Sequence, residues 1–260
     1  MKIALVDSGI GLLAAAVAVR RLRPDADLIL SSDPDGMPWG PLRAADLQGR
    51  VLTTALAAAS YEPDALVVAC NTATVQALPA VKAALEPDIP VIGTVPAVKT
   101  AAATGGPMAI WATPATTGSS YQAALIREHA PRVQVTEIAC PGLADAVQHA
   151  DLSAIIDTVT DASRRTPDGT TDVVLGCTHY ELVAGHIRTA LRRPSLITPV
   201  LRGSADAVAA QALRRLTGRP AATKTGRGRL TVLLSGRESQ LPAAALAYRA
   251  GQHVTASFAA

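Results

Sequence analysis

The stretch Asp172–Tyr180, which reads DVVLGCTHY, indicates both the fold of the chain and the place of its chemistry. The small and apolar residues after Asp172 predict a short strand that is buried on both faces, as in the middle of a parallel sheet. Cys177, Thr178 and His179 follow at the carboxyl end of that strand, the edge where open α/β sheets bind ligands. The thiol can act as a nucleophile or a base, and the histidine can influence its charge state.

A second stretch of the same kind, Asp64–Thr72, reads DALVVACNT and ends in Cys70, Asn71 and Thr72. A single buried cysteine is usually an inert packing residue. Two strand-end thiols, each followed by polar residues that form hydrogen bonds, are difficult to explain by packing alone. The pair therefore favours a site in which both thiols take part.

The composition favours a layered α/β protein. Apolar residues make up 49% of the chain but aromatic residues only 3%, so that the core is built from Ala, Val, Leu and Ile. The net charge of +3 allows an anionic small ligand, but it is too small to indicate a basic surface that binds nucleic acid. Three cysteines without a CxxC pair argue against a disulfide framework and against structural zinc.

The same features predict a location. Cysteines that form no disulfides imply a reducing, cytoplasmic compartment. The first residues lead directly into a strand, so we expect no signal peptide. No apolar run approaches the roughly 18 residues of a membrane span, and we expect no membrane association.

The N-terminal residues predict a strand, a turn and a helix. A strand over Lys2–Val6 is followed by Asp7, Ser8 and a glycine-containing turn, and then by a helix to about Leu22. Asp7 could cap that helix, or it could accept or relay a proton at the same sheet edge as Cys70. The full GxGxxG pattern is missing, so a dinucleotide or phosphate site has only weak support.

Three further segments are candidates for binding a ligand. The loop SSDPDGMPWGPL at residues 31–42 is either an ordinary turn-rich connection or a binding loop in which Trp39 and Gly40 lie over a ligand. Asn71 and Thr72 sit at the start of a helix predicted over Thr74–Leu85, where backbone N–H groups attract a carboxylate. The segment ATTGS at residues 115–119 resembles another such helix opening.

The pattern of strands and helices predicts two similar α/β halves. Residues 1–95 with 205–260 form a first, discontinuous domain, and residues 96–204 form a second. A cleft between two such halves is the expected place for the active site. Cys140, which precedes Pro141 and has no polar neighbour in the sequence, is expected to be structural, and residues 219–229 are expected to form a solvated loop.

Two thiols on opposite sides of a carbon acid can racemise it without a cofactor or a metal. One thiol removes a proton from one face and the other returns a proton to the opposite face. The base must be a thiolate while the acid stays protonated, so the two environments must push the pKa values of the thiols apart. Asp7 and His179 are the natural auxiliary groups, one beside each thiol.

Several motifs together resemble the glutamate racemases of the aspartate/glutamate racemase superfamily, and the resemblance runs nearly from end to end. They are VDSGIG at 6–11, PWGPL at 38–42, VVACNTAT at 67–74, PVIG at 90–93, ATPATTGSSY at 112–121, ACP at 139–141 and LGCTHY at 175–180. The paired CNT and GCTHY motifs, in this order and at this spacing, are highly specific.

The resemblance implies two pseudo-symmetric flavodoxin-like domains, with parallel sheets covered by helices and the active site in the cleft between them. It implies an isomerase that interconverts L- and D-glutamate by proton transfer, without a cofactor, and that supplies D-glutamate for peptidoglycan, cell wall and cell shape. A homodimer is compatible with it. The implied acid/base residues are Cys70 and Cys177, assisted by Asp7 and His179. The implied substrate contacts are Asp7, Ser8, Trp39, Gly40, Asn71, Thr72, Thr116, Thr178 and His179.

The chain departs from the family pattern at three places. Trp39 stands where the family usually has tyrosine, Leu12 where it has a further glycine, and Gln148 where it has glutamate. Because glutamine carries no charge, any electrostatic role of a carboxylate at position 148 is lost or moved. Racemisation of aspartate or another small amino acid, and a non-catalytic ligand-binding or regulatory role, therefore remain as alternatives.

Overall fold

A computed structural model describes residues 1–194, 197–216 and 228–256. The loop expected over residues 219–229 lies, up to residue 227, outside the described residues. The strands are β1 (Lys2–Asp7), β2 (Asp27–Ser32), β3 (Ala65–Val68), β4 (Val91–Gly93), β5 (Met108–Ala112), β6 (Val135–Ala139), β7 (Asp172–Leu175), β8 (Val200–Arg202), β9 (Leu230–Leu234) and β10 (Arg237–Ser239).

Helices alternate with the strands over most of the chain, and a short 3₁₀ helix (Ile10–Leu12) precedes the first of them. The α-helices are α1 (Leu13–Leu22), α2 (Ala44–Ala59), α3 (Asn71–Leu85), α4 (Val98–Ala102), α5 (Ser120–His129), α6 (Leu143–His149), α7 (Leu152–Arg165), α8 (Thr178–Leu182), α9 (Ala184–Ala190), α10 (Ala205–Arg215), α11 (Ala243–Leu246) and α12 (Arg249–Ala256). No helix within the described ranges is long and apolar enough to span a membrane.

The chain forms two compact units. The first consists of Met1–Val95 and Ala205–Ala260, and the second of Pro96–Ser204.

The first unit is built on a six-stranded sheet in the order β10-β9-β2-β1-β3-β4. All neighbours run parallel except β10, which pairs antiparallel with β9. The central strand β1 is apolar from Ile3 to Val6, and these side chains are fully buried. Its register pairs Val6 with Val68, so that the carboxyl ends of β1 and β3 lie side by side.

The second unit is built on a four-stranded parallel sheet in the order β6-β5-β7-β8. The strand at the start of DVVLGCTHY, β7, lies inside this sheet, as its continuous apolar run predicts. Asp172 at its first position is buried, and its carboxylate accepts hydrogen bonds from Arg202 Nε at 2.6 Å, Thr104 Oγ1 at 2.8 Å and Thr171 Oγ1 at 3.0 Å.

The four strands β2-β1-β3-β4 and the four strands β6-β5-β7-β8 follow the same order: second, first, third, fourth. This order is the one found in flavodoxin-like folds. The prediction of an α/β fold with two similar parallel sheets covered by helices is confirmed. In both units a cysteine follows the third strand.

The structure corrects one predicted element bound and adds two short elements. Helix α3 begins at Asn71 instead of Thr74, and a short helix, α8, follows Cys177 and is separated from α9 at Val183. Thr178 and His179 therefore lie in a helix. The short strand β10 was not predicted, because its sequence RES is polar and exposed and carries no alternating pattern.

Candidate active site

The thiols Cys70 and Cys177 occupy equivalent positions in the two units. Each is the N-cap residue of the helix that follows the third strand, with extended backbone angles of φ −107° and ψ 126° at Cys70 and φ −136° and ψ 135° at Cys177. Neither thiol, nor that of Cys140, is in a disulfide. Cys70 is 9% exposed, and Cys177 is half-buried.

A single small residue separates each strand from its cysteine. At position 176 a Cβ atom would lie 2.9 Å from the carbonyl oxygen of Trp111, so only glycine fits against β5 there. The Gly176 N–H donates to that same carbonyl at 2.7 Å. In the first unit Ala69 takes this place, and its N–H donates to the carbonyl of Val6 at 2.8 Å. These bonds hold both cysteines at the carboxyl edge of their sheets.

Asp7 is the last residue of β1 and is fully buried beside the end of β3. Its Oδ1 accepts hydrogen bonds from the backbone N–H of Ser8 at 2.6 Å and from the hydroxyl of Ser8 at 3.3 Å. The structure therefore brings Asp7, Ser8 and Cys70 to one sheet edge. Asn71, which is buried, and Thr72, which is half-buried, follow as the first two residues of α3.

Two threonines that the sequence interpretation gave no role fix the end of β3. The hydroxyl of Thr94 donates to the carbonyl of Val68 at 2.9 Å, and the hydroxyl of Thr74 donates to the same carbonyl at 3.2 Å. The N–H of Thr94 in turn donates to Thr74 Oγ1 at 2.9 Å. The available signal was the polar residue that directly follows each of the motifs PVIG and CNTA.

In the second unit His179 lies beside Cys177, with Nδ1 3.9 Å from Sγ. The imidazole is 4% exposed, and burial lowers its pKa to about 4, so the ring is neutral at pH 7. Its other nitrogen, Nε2, lies 3.0 Å from Oε1 of Gln148, which α6 contributes. The motif Thr178–Tyr180 is thus buried almost completely.

Cys140 has the surroundings of a structural cysteine. It is 2% exposed, its Sγ donates to the carbonyl of Ile138 at 3.5 Å, and burial raises the pKa of its thiol to about 12. The hydroxyl of Tyr180 donates to its carbonyl oxygen at 3.4 Å. A thiol that stays protonated in this way is unreactive.

Trp39 is 1% exposed and packs in the core of the first unit. Its indole N–H donates to Asp33 Oδ2 at 3.0 Å, and Asp33 also pairs with Arg50. Asp33 and Arg50 line an open pocket of about 840 Å³, but none of the predicted site residues lines it. A substrate contact from Trp39 therefore stays a prediction, as does one from the half-buried Gly40.

Thr116 lies in the loop after β5 and is half-buried, with its hydroxyl 3.2 Å from that of Thr113. The helix that follows is capped from within the chain, because Ser119 Oγ accepts the N–H of Gln122 at 3.2 Å. The N–H of Gly118 is already bonded to Glu137 Oε1 at 3.1 Å. A role for Thr116 in substrate binding stays a prediction.

Among the described residues no group of three or more His, Cys, Asp or Glu side chains is arranged to hold a metal ion. Each thiol has protein groups beside it: a buried carboxylate and a helix start at Cys70, and a buried neutral imidazole at Cys177.

Comparison with known proteins gives a consistent result. The family model for Asp/Glu/hydantoin racemases matches residues 12–212. A glutamate racemase from Granulibacter bethesdensis is 35% identical over 82% of this chain and 77% of its own length, and one from Roseiflexus sp. is 34% identical over 80% and 78%.

The likeness extends to the fold of solved structures. The crystal structure of Escherichia coli glutamate racemase in complex with L-glutamate and the activator UDP-MurNAc-Ala superimposes with a TM-score of 0.78. That protein is 28% identical in sequence, and the superposition covers 90% of this chain and 88% of that one. The match of the family model over most of the chain, together with these relatives, shows that the protein belongs to the Asp/Glu/hydantoin racemase family.

Proposed function

We propose that the protein is a cofactor-independent glutamate racemase that interconverts L- and D-glutamate with Cys70 and Cys177 as its two acid/base residues. The observation that carries the proposal is the equivalent placement of the two thiols, each at the N-cap after the third strand of a sheet with the same strand order. The activity of the relatives supports glutamate as the substrate.

The reaction is a proton exchange at the α-carbon. One cysteine, as a thiolate, takes the α-proton and becomes a thiol, and the electron pair of the broken C–H bond passes into the substrate carboxylate as an enediolate. The other cysteine, as a thiol, then gives its proton to the opposite face of the carbon and becomes a thiolate. No net oxidation or proton release occurs, so the mechanism requires no cofactor.

Asp7 and His179 are the proposed assistants of the two thiols. Asp7 ends the strand next to the one that leads to Cys70, and it is fully buried. A buried carboxylate close to the substrate can orient its ammonium group and accept a proton. His179 lies beside Cys177 and can accept the thiol proton at Nδ1.

Each proposed substrate contact ends or follows a strand, at the carboxyl edge of one of the two sheets. The backbone N–H groups of Asn71 and Thr72 lie in the first turn of the 15-residue helix α3, where a carboxylate is bound favourably. The hydroxyl groups of Ser8, Thr116 and Thr178 are proposed as further polar contacts, together with Trp39 and Gly40. The α-carbon acid is very weak, and such donors stabilise the negative charge that develops on its carboxylate.

The family resemblance links this activity to the supply of D-glutamate for peptidoglycan and to a cytoplasmic location. It also allows a homodimer, which size-exclusion chromatography with light scattering will test directly.

The deciding experiment is proton NMR of L-glutamate, D-glutamate, L-aspartate and D-aspartate with the protein in D₂O. We expect loss of the α-proton signal for both enantiomers of glutamate, with circular dichroism showing racemisation. Exchange with aspartate alone would identify an aspartate racemase. If none of the four substrates loses its α-proton, the protein is not a racemase of these acids, and a ligand-binding role becomes the better explanation.

A further inference from the structure

Gln148 and His179 are joined by a hydrogen bond that connects α6 to α8. The carbonyl oxygen Oε1 of Gln148 lies 3.0 Å from Nε2 of His179. A carbonyl oxygen can only accept a hydrogen bond, so the proton of this contact belongs to Nε2. The residues are 31 positions apart in the sequence, and the contact depends on the packing of the two helices.

The second ring nitrogen faces the thiol. Nδ1 of His179 lies 3.9 Å from Sγ of Cys177. When a neutral imidazole carries its proton on Nε2, its Nδ1 is an acceptor, and the matching donor is the S–H group. The ring is 4% exposed, which disfavours its charged form.

The surrounding groups do not supply a counter-charge to the imidazole through any contact that the structure describes. Glu181 on α8 accepts hydrogen bonds from the backbone and hydroxyl of Ser204. Asp145 and His149 on α6 are exposed and pair with each other. The remaining titratable or charged groups on the neighbouring elements are Tyr180, which donates to the Cys140 carbonyl, Asp172, which pairs with Arg202, and the exposed His186 and Arg188.

We propose that Gln148 is a positioning residue that holds His179 as the neutral Nε2–H tautomer, so that Cys177 rests as a thiol. The inference rests on the proposed function, in which Cys177 exchanges a proton with the substrate. Its consequence is that Cys177 is prepared for the step in which it acts as the acid.

The neighbours of Cys177 support the opposite step, in which it acts as the base, less well. For Cys177 to act as the base through His179, its S–H bond must break and the proton must form a new bond to Nδ1, leaving a thiolate and an imidazolium. Among the contacts that the structure describes, the partner of that imidazolium at Nε2 is the dipole of an amide. A carboxylate at position 148 would support it by a full negative charge, which is a stronger interaction. The neutral residue therefore sets which form of the Cys177–His179 pair predominates.

The test combines ring ¹⁵N NMR of His179 with titration of the Cys177 thiolate. The histidine signal is assigned by its loss in the His179→Asn variant. The thiolate is followed by its absorbance near 240 nm in a Cys70→Ser background between about pH 5 and pH 8.5, below the usual range of tyrosine ionisation. The thiol of Cys140 does not interfere, because burial raises its pKa to about 12.

Three variants separate the roles of charge and hydrogen bonding. Gln148→Glu adds a carboxylate of the same shape, and Gln148→Met removes the acceptor at similar size. Asp145→Asn is the matched control, because it changes the charge of the same helix by one unit at an exposed position that does not contact His179.

We expect His179 in the native protein to be neutral with its proton on Nε2. In Gln148→Glu the Cys177 thiolate should form at least about one pH unit lower, a tenfold change in the proton equilibrium. In Gln148→Met the Nδ1–H tautomer should become populated, and Asp145→Asn should resemble the native protein. The two kcat values of Gln148→Glu should also change unequally, by at least about threefold in one direction.

A native His179 with its proton on Nδ1 would overturn the inference, and so would a Gln148→Met variant with an unchanged tautomer. The same holds if Gln148→Glu, folded by circular dichroism, leaves the thiolate titration where it was. If Gln148→Glu does not fold, the native and Gln148→Met spectra decide alone. Absence of racemisation in a protein with the expected tautomer would refute the proposed function and leave the positioning of His179 intact.

Discussion

Cys70 caps a helix of 15 residues, whereas Cys177 caps a helix of only five residues, although both thiols occupy the same place in their units. A long helix presents aligned N–H groups and a positive dipole end that favour a thiolate. The short helix α8 offers less of this support, and Cys177 has the imidazole of His179 beside it instead. The two thiols thus have different neighbouring groups, as the proposed two-base mechanism needs.

The first prediction is that both thiols are indispensable. Changing Cys70 or Cys177 to alanine removes the acid or base from one face of the α-carbon, so racemisation measured by circular dichroism should be lost. Cys140→Ala is the control and should retain activity, because that thiol is buried and its raised pKa of about 12 keeps it protonated. A Cys70 or Cys177 variant within tenfold of the native rate, roughly 1.4 kcal/mol in barrier, contradicts the mechanism. Full activity should also survive dialysis against EDTA.

The second prediction concerns Asp7 and His179. Because the products are mirror images, the equilibrium constant is one, and kcat/KM must stay equal in the two directions for any variant. If each residue assists only one thiol, Asp7→Asn and His179→Asn should instead change the two kcat values unequally, with KM changing in proportion. Initial rates from L- and D-glutamate measure this. Equal losses of kcat in both directions leave only a structural role for these side chains.

The placement of both thiols could be predicted from the sequence because buried parallel strands appear as uninterrupted apolar runs. DALVVA and DVVLG are such runs, and the polar residues after them mark the sheet edge. The shared strand order then brings Asp7 beside the end of β3, since β1 and β3 are neighbours in the sheet.

The partners of those residues could not be predicted in the same way. The contact of Gln148 with His179 depends on how α6 packs on α8, and no local pattern encodes that distance. The break at Val183, where φ is −112° and ψ is 19°, separates α8 from α9, and no glycine or proline marks that position in the sequence. The hydrogen bond from Trp39 to Asp33 likewise joins two loop residues whose proximity follows from the folded loop.

The third prediction follows from that hydrogen bond. Trp39→Phe leaves the buried Asp33 without its indole donor, and a lost hydrogen bond to a charged group destabilises a protein by about 1.5–3 kcal/mol. Urea unfolding followed by far-UV circular dichroism measures the change. Trp111→Phe is the matched control, because Trp111 is equally buried but donates to the neutral hydroxyl of Thr166 at 2.9 Å. A smaller loss in Trp39→Phe than in Trp111→Phe contradicts the prediction.

The fourth prediction is a pH dependence of stability that arises from His179. Burial lowers the pKa of its imidazole from 6.5 to about 4. Between these values the unfolded chain binds a proton that the folded protein does not, so the free energy of unfolding falls as the pH is lowered from 6.5 towards 4. Above pH 6.5 the group contributes no such loss. The full shift corresponds to about 3 kcal/mol.

The two tryptophans allow this loss to be measured in the unit that holds His179. Trp39 belongs to the first unit and Trp111 to the second, so in a Trp39→Phe background the fluorescence of Trp111 reports on the second unit alone. In that background, urea unfolding at pH 7 and pH 4.5 should show a loss that is about 2 kcal/mol smaller in His179→Asn, since asparagine does not titrate. His186→Asn, at an exposed position of α9, is the control and should keep the native pH dependence. Equal losses in the His179→Asn and His186→Asn variants would mean that the buried imidazole is not the group responsible.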